Sequence, residues 1–307
     1  MSAGTGHIPD PASAGSPPPA AASAPAAPPA PAAASAPSPA HAAVPGADGR
    51  DYPQTPISVN HVEPAPRRVR GFLGHQLIFD TTSARYVWEI PYYPQYYIPV
   101  GDIDPRFLID EGGHQSTRRG TAQRYGLHAG HQERPGAVRV YGDDAIPGLA
   151  GTARFEWSAL DTWYEEDEEI FVHPRNPYAR VDALRSHRHV RVSLGGVTLA
   201  ETTSPVLVFE TGLPTRYYID RTDVSFTHLV ASPTQTACPY KGITSQYWSV
   251  QLDSAQPGPD DYKDLAWAYD FPTRQLLPIA GLIAFYNEKV DVEVDGRPLP
   301  RPRTHFS

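Results

Sequence analysis

Cysteine is almost missing from this chain: Cys238 is the only one in 307 residues. A lone thiol excludes an internal disulfide framework, and without a second cysteine there is no Cys-x-x-Cys zinc knuckle. Lysine is nearly as scarce. Of 26 basic residues only Lys241, Lys263 and Lys289 are lysines, all in the second half. The arginine excess is a compositional bias, so Lys241 is at most a weak pointer to a site that wants an amine. Residues 1–50 contain no Phe, Tyr, Trp, Leu, Lys or Cys. An Ala/Pro/Ser/Gly stretch of this kind cannot bury enough apolar surface to offset its ordering entropy, and a disordered, polyproline-like tail is expected there. Nowhere does an apolar run approach the roughly 20 residues of a membrane-spanning helix. The basic start and apolar run of a secretory signal are missing as well, so no membrane partner is expected and a cytoplasmic protein is. A net charge of −8 counts against a sequence-independent grip on nucleic acid. No motif names a cofactor or a metal site, and nothing fixes the oligomeric state.

What the chain does have is an internal repeat. Arg67-Arg68-Val69-Arg70 resembles Arg188-His189-Val190-Arg191, and Leu73-Gly74 matches Leu194-Gly195. Val87-Trp88-Glu89 matches Val208-Phe209-Glu210, and Tyr96-Tyr97-Ile98 matches Tyr217-Tyr218-Ile219. All these pairs share one offset, that of Arg67 to Arg188. Arg119-Gly120 then pairs with Lys241-Gly242 one residue out of that register, and Gly151 and Phe155 pair with Gly281 and Phe285 further out. Constant order with small register slips is the mark of a duplicated unit with changed loops. The expected domains are a tail over 1–50, a first unit over 51–180 and a second over 181–307.

Each unit reads as β. Val190–Leu194 alternates, Gly195-Gly196 turns, and Val197–Ala200 resumes. Val206–Phe209, Tyr217–Ile219, Gln246–Leu252, Leu282–Tyr286 and Val290–Val294 are further strands, the last ending at the turn Asp295-Gly296. Proline and glycine interrupt too often for long helices. Short helical turns are expected after Asp102 and Asp223, with those aspartates as caps. The fold class is all-β, two related small domains.

Several segments carry a family resemblance. Thr236-Ala237-Cys238-Pro239-Tyr240-Lys241-Gly242, Tyr247-Trp248, Asp264–Tyr269 and Ile279–Tyr286 resemble the DUF427 family, as does Glu210–Tyr218 upstream. Phe155–Glu169 followed by His173–Tyr178 looks like the tandem form of that family. The resemblance implies a compact β fold comparable with the β-tent group. Some members carry a nucleotidyltransferase-like label, but this chain has no P-loop and no Gly-Ser pair leading into an Asp-x-Asp metal site.

The two copies also act as an internal comparison. By offset, Cys238 aligns with Ser116, Tyr240 with Arg118, Lys241 with Arg119, Trp248 with Gly126 and Trp267 with Arg139. Both copies keep the scaffold: the glycine after the cation, the tyrosine pair, the strand glutamate. At the positions just aligned, the second copy alone has a thiol, an amine and two indoles. Replacing a core Trp by Gly or Arg costs about 3–5 kcal/mol, so Trp248 and Trp267 are expected to face a pocket. Cys238 is the candidate nucleophile, with Lys241 as a nearby cation and Tyr240 as a hydrogen-bond donor. The alternative is a small hydrophobe that only packs. No histidine lies near it in sequence.

Tyr217, Tyr240, Trp248, Trp267 and Tyr269 are expected to line an aromatic ligand pocket, with Glu210 and Arg216 as further ligand-binding residues; the alternative is ordinary sandwich core. Glu210 is read as an acid/base group or, more simply, as a partner of Arg216. Glu89 shares the choice, with Arg191 as an equivalent partner. His114, His128 and His131 are read as solvated rather than metal-binding, and Glu165–Glu169 as a solvated charge run. Three functions stay open: an enzyme acting on a small molecule, a non-catalytic small-ligand module, and a scaffold tethered by its tail. A site between the two domains is compatible with all of this.

Overall fold

The computed structural model describes residues 52–252 and 262–304; the tail, residues 1–50, lies outside the described residues. The alternating strands build two copies of one two-sheet arrangement. The first copy's larger sheet has seven strands in the order Val62–Pro64, Arg85–Val87, Gln95–Pro99, Thr152–Phe155, Gln132–Tyr141, Gly120–Ala129 and Leu108–Thr117. The second copy repeats that order with Val181–Arg185, Val206–Glu210, Arg216–Ile219, Ile283–Phe285, Ala266–Ala268, Gln246–Val250 and Leu229–Ser232. A four-stranded sheet covers one face of each, again in the same order. All pairings between these strands are antiparallel. The duplication is thus a duplication of topology.

Strand periodicity sorts the side chains between two environments. In the second copy, Leu207, Tyr217, Ile219, Trp248 and Phe285 point between the sheets, where they pack on Val190, Val192, Leu199 and Val292. Their strand neighbours Val206, Val208, Tyr218, Tyr247, Trp267 and Ala284 point the other way, and form a second cluster with Tyr269, Leu276 and Ile279. The first copy has the same division. Tyr96, Ile98 and Trp163 lie in the sandwich core, and Val87, Tyr97, Ala122 and Tyr141 lie on the outer face.

Several local expectations change in the structure. The short turns are 3-10 turns at Val100–Asp102, Pro105–Phe107, Arg221–Asp223 and Phe226–His228. Two of the four are capped by aspartates, Asp104 and Asp220, which accept from Arg106 N and Thr222 N, and Asp223 lies inside its turn. Asp102 instead accepts from the Thr81 hydroxyl at 2.6 Å. Glu165 is not part of a solvated run. It is buried, paired with Arg67, and accepts from Tyr96 Oη at 2.7 Å. Among the described residues, no helix is long and apolar enough to cross a membrane.

Candidate functional site

The outer face of the second copy's larger sheet brings the chemical residues together. Glu210 ends its strand two residues after Val208, so it shares the outer face with Tyr218 on the next strand. Cys238 and Lys241 sit on a small hairpin, Ala237–Cys238 paired with Gly242–Ile243. Gly242 takes φ +93°, a backbone state that a side chain strongly disfavours. Gly120 holds the equivalent place in the first copy at φ +124°. Thr273 fastens the turn from below: its hydroxyl donates to the Tyr240 carbonyl at 2.6 Å, and its N–H donates to the Lys241 carbonyl at 3.1 Å.

Lys241 Nζ is buried, pairs with the Glu210 carboxylate and lies 3.9 Å from Cys238 Sγ. Burial on its own pulls a lysine pKa down. The Cys238 sulfur and the Glu210 carboxylate outweigh that pull, and the net shift is upward. Lys241 is therefore an ammonium throughout the physiological range. Tyr218 is fully buried beside this group, and its phenol is pushed up to about 12 by burial, against the opposing pull of Lys241. Burial also raises Tyr240 and Tyr269, which stay neutral phenols. Cys238 and Tyr240 are half-buried and form the solvent-facing edge of the cluster.

The ladder redefines which first-copy residues correspond to these. Cys238 stands opposite Gly242, and Thr117 stands opposite Gly120. Thr117, not Ser116, is the counterpart of the thiol; the second copy's turn is one residue longer. Trp267 pairs with Ala284 as Arg139 pairs with Arg154, so that expected equivalence fits the ladder. Trp248 pairs with Ala266, as Tyr125 pairs with Val138, which makes Tyr125 rather than Gly126 its counterpart.

On the shared face the first copy is ionic where the second is aromatic. Glu89 is met by Arg154 at 3.2 Å, by Arg119 at 3.5 Å and by the Tyr97 hydroxyl at 2.9 Å. Burial alone would raise its pKa, but Arg154 and Arg119 hold it below the usual carboxylate range. In the second copy the arginines at these positions have become Ala284 and Lys241. Glu210 keeps one cation, and that cation also faces a thiol.

Of the residues singled out from sequence, Cys238, Tyr240, Lys241 and Glu210 gather around one hairpin, with Trp267 and Tyr269 packed in the buried cluster beneath. The others go elsewhere. Trp248 and Tyr217 lie in the core between the sheets, where Trp248 meets the edge of Phe226 and the Arg221 guanidinium. Arg216 does not pair with Glu210; it is buried against Glu288 and Asn287, and its guanidinium lies over Trp267 and Tyr286 at 5.8 and 5.5 Å. Arg191 likewise pairs with Glu293, not with Glu89. Asp264 adopts φ +53°, where Gly136 of the first copy takes φ +62°, and accepts from the Thr234 hydroxyl at 2.7 Å. His128 is 3.5 Å from Glu133. Among the described residues no three His, Cys, Asp or Glu side chains are grouped closely enough to hold a metal.

Sequence reasoning missed two members of the face. Tyr218 rather than Tyr217 belongs to it, and period-two counting from Val208 and Glu210 favours that choice only once the hairpin register is known. His173 stands out only as the start of a family-like segment, with no local signal that it belongs to the site. It comes from the segment after the first copy's last strand, and its ring meets Tyr240 edge-on at 6.4 Å.

No curated protein matches the chain. A family model described as a domain of unknown function, DUF427, matches residues 61–166 and 182–296, one region in each copy. Two strand-for-strand equivalent units, each covered by one of those matches, make this chain a member of the DUF427 family in tandem form.

Proposed function

We propose that the outer face of the second copy is the site of an enzyme acting on a small electrophilic molecule, with Cys238 as the reacting group. The observation that carries this reading is the Lys241 ammonium placed between the Glu210 carboxylate and Cys238 Sγ at 3.9 Å. A fixed cation at that distance stabilises negative charge on sulfur. Because the same ammonium is held protonated, it is a poor amine nucleophile, and Schiff-base chemistry through Lys241 is disfavoured. Tyr240, kept neutral, offers a hydroxyl proton to a bound ligand. Tyr218, Trp267 and Tyr269 form a buried, low-dielectric floor beneath, which strengthens these charge interactions. The paired sheets of each copy support the comparison with β-tent domains. A single thiol that must stay reduced fits a cytoplasmic setting.

The test is alkylation of Cys238 by iodoacetamide across pH. The wild type should react faster at pH 7 than Lys241→Met, and Lys241→Arg should retain most of the reactivity. A rate equal to that of free glutathione, and indifferent to both substitutions, would sink the proposal.

A second reading is a binding module without chemistry. It draws on two surface concavities that do not border Cys238, one at Ile78, Asp80, Asp102 and Arg106, the other at Ser232, Thr234, Ser249 and Asp264. Under it, Cys238→Ser leaves ligand affinity nearly unchanged.

A further inference from the structure

The segment that leaves the first copy crosses to the second copy's hairpin. Arg175 Nε donates to the Pro239 carbonyl at 2.9 Å, and the Asn176 N–H donates to the Tyr240 hydroxyl oxygen at 2.8 Å. Asn176 Nδ2 in turn donates to the Tyr92 carbonyl at 3.0 Å, tying the same segment back to the first copy. The turn between Cys238 and Lys241 is therefore clamped by residues that precede the second copy in sequence. His173 lies at the head of this clamp. Its ring stacks on Tyr93, centroid to centroid 3.8 Å with an 8° interplanar angle, and its other neighbour is the edge of Tyr240. Nδ1 lies 2.7 Å from the Pro174 carbonyl oxygen. A carbonyl only accepts, so Nδ1 carries the proton and the neutral ring keeps its lone pair on Nε2.

We infer that His173, supplied by the first copy, is the acid–base partner of the second copy's thiol site, so that the working site belongs to the tandem chain and to neither copy alone. This inference rests on the proposed thiol chemistry. Within residues 181–252 and 262–304 the histidines are placed elsewhere: His189 pairs with Glu201 at 2.8 Å, His228 stands on a 3-10 turn, and His187 is exposed. Burial lowers the His173 pKa, and this outweighs the upward pull of the Pro174 carbonyl and of Glu210. The ring is thus a neutral base at physiological pH. The groups around it are Tyr93, Tyr240 and Glu210; next along the chain is Arg175, whose guanidinium is 3.6 Å from Glu168 and whose N–H donates to Glu165 at 3.4 Å. His173 and Cys238 share no direct hydrogen bond, so in the step this assigns the Cys238 thiol proton reaches Nε2 through one intervening solvent molecule, and the sulfur pair forms a bond to an electrophilic carbon. The leaving group on that carbon departs with its bonding pair and takes its proton from the imidazolium.

The experiment is the pH profile of Cys238 alkylation by iodoacetamide in the full chain. His173→Asn keeps an N–H donor for the Pro174 carbonyl but removes the base. It should lower the rate by at least about tenfold near neutral pH, and remove an inflection that the wild type shows below pH 7. In His173→Ala, imidazole added to the buffer should restore much of the lost rate. Superimposable profiles for the wild type and both variants, with Cys238 still reacting faster than glutathione, would overturn the inference and leave the thiol reading standing. An ordinary, Lys241-independent rate in the wild type would overturn both.

Discussion

Cys238 and Thr117 hold the same ladder position in the two copies, each opposite the positive-φ glycine that follows its copy's cation. In the first copy that side chain is a hydroxyl which donates to the Gly120 carbonyl at 2.9 Å and lies 3.5 Å from the Tyr141 hydroxyl. In the second it is a thiol 3.9 Å from an ammonium. One scaffold position thus carries a structural hydrogen bond in one copy and a reactive atom type in the other.

Lys241→Met should leave the Glu210 carboxylate buried without its cation, at a cost of about 3–5 kcal/mol. Lys241→Arg should cost far less, because Arg119 does the same work beside Glu89. The double variant Lys241→Met with Glu210→Gln should recover part of the loss. Urea denaturation of the three variants checks this.

The two positive-φ glycines should differ in their tolerance of alanine. A Cβ on Gly120 would meet Ala145 Cα at 2.6 Å, whereas on Gly242 the nearest atoms are 3.7 Å away. Gly242→Ala should therefore cost about 1–2 kcal/mol, from backbone strain alone. Gly120→Ala adds a backbone clash and should cost more. Tm values of the two variants decide the order.

The two tryptophans should separate stability from chemistry. Trp248→Ala opens the core between the sheets and should cost about 3–5 kcal/mol, with little change in Cys238 alkylation where the variant is folded. Trp267→Ala removes the indole that donates to Tyr218 Oη at 3.2 Å and lies beneath the Arg216 guanidinium. It should change the alkylation profile as well as stability. Equal effects of the two on alkylation would contradict this division.

Acid should destabilise the chain in two stages. The folded pKa values of His173, Glu89 and Glu288 all lie below their ordinary values. For His173 the cause is burial; for the two glutamates burial pushes upward but Arg154, Arg119 and Arg216 prevail. At each group the unfolded chain binds more protons, so stability falls as pH falls. The His173 contribution declines from the ordinary imidazole range near 6.5 downward. The two glutamate contributions are present above the ordinary carboxylate range and are lost below it. Thermal melts from pH 7 to pH 3 should show both, with the first missing in His173→Asn.

The sequence by itself determined the duplication, the all-β class and the strands, because period-two alternation and turn glycines are local signals. Val190–Leu194, Val197–Ala200 and Tyr217–Ile219 are readable in this way, each within an observed strand, and so is the Asp295-Gly296 turn, where both residues take positive φ. It also brought out the Cys238–Lys241 segment, since two copies of one scaffold expose what only one of them carries. A constant offset, however, carries no information about a one-residue change in turn length. Only the strand pairing shows that Thr117 answers Cys238 and Tyr125 answers Trp248. Which face each aromatic takes depends on cross-strand register, and that put Tyr218 in the site and Tyr217 in the core. The partner of a buried charge depends on which strands are neighbours, and so Glu210 found Lys241 while Arg216 found Glu288. His173 is sixty-five residues from Cys238 along the chain. No period or motif reaches that far; the clamp of Arg175 and Asn176 on Pro239 and Tyr240, a product of how the two copies pack, brings it to the hairpin.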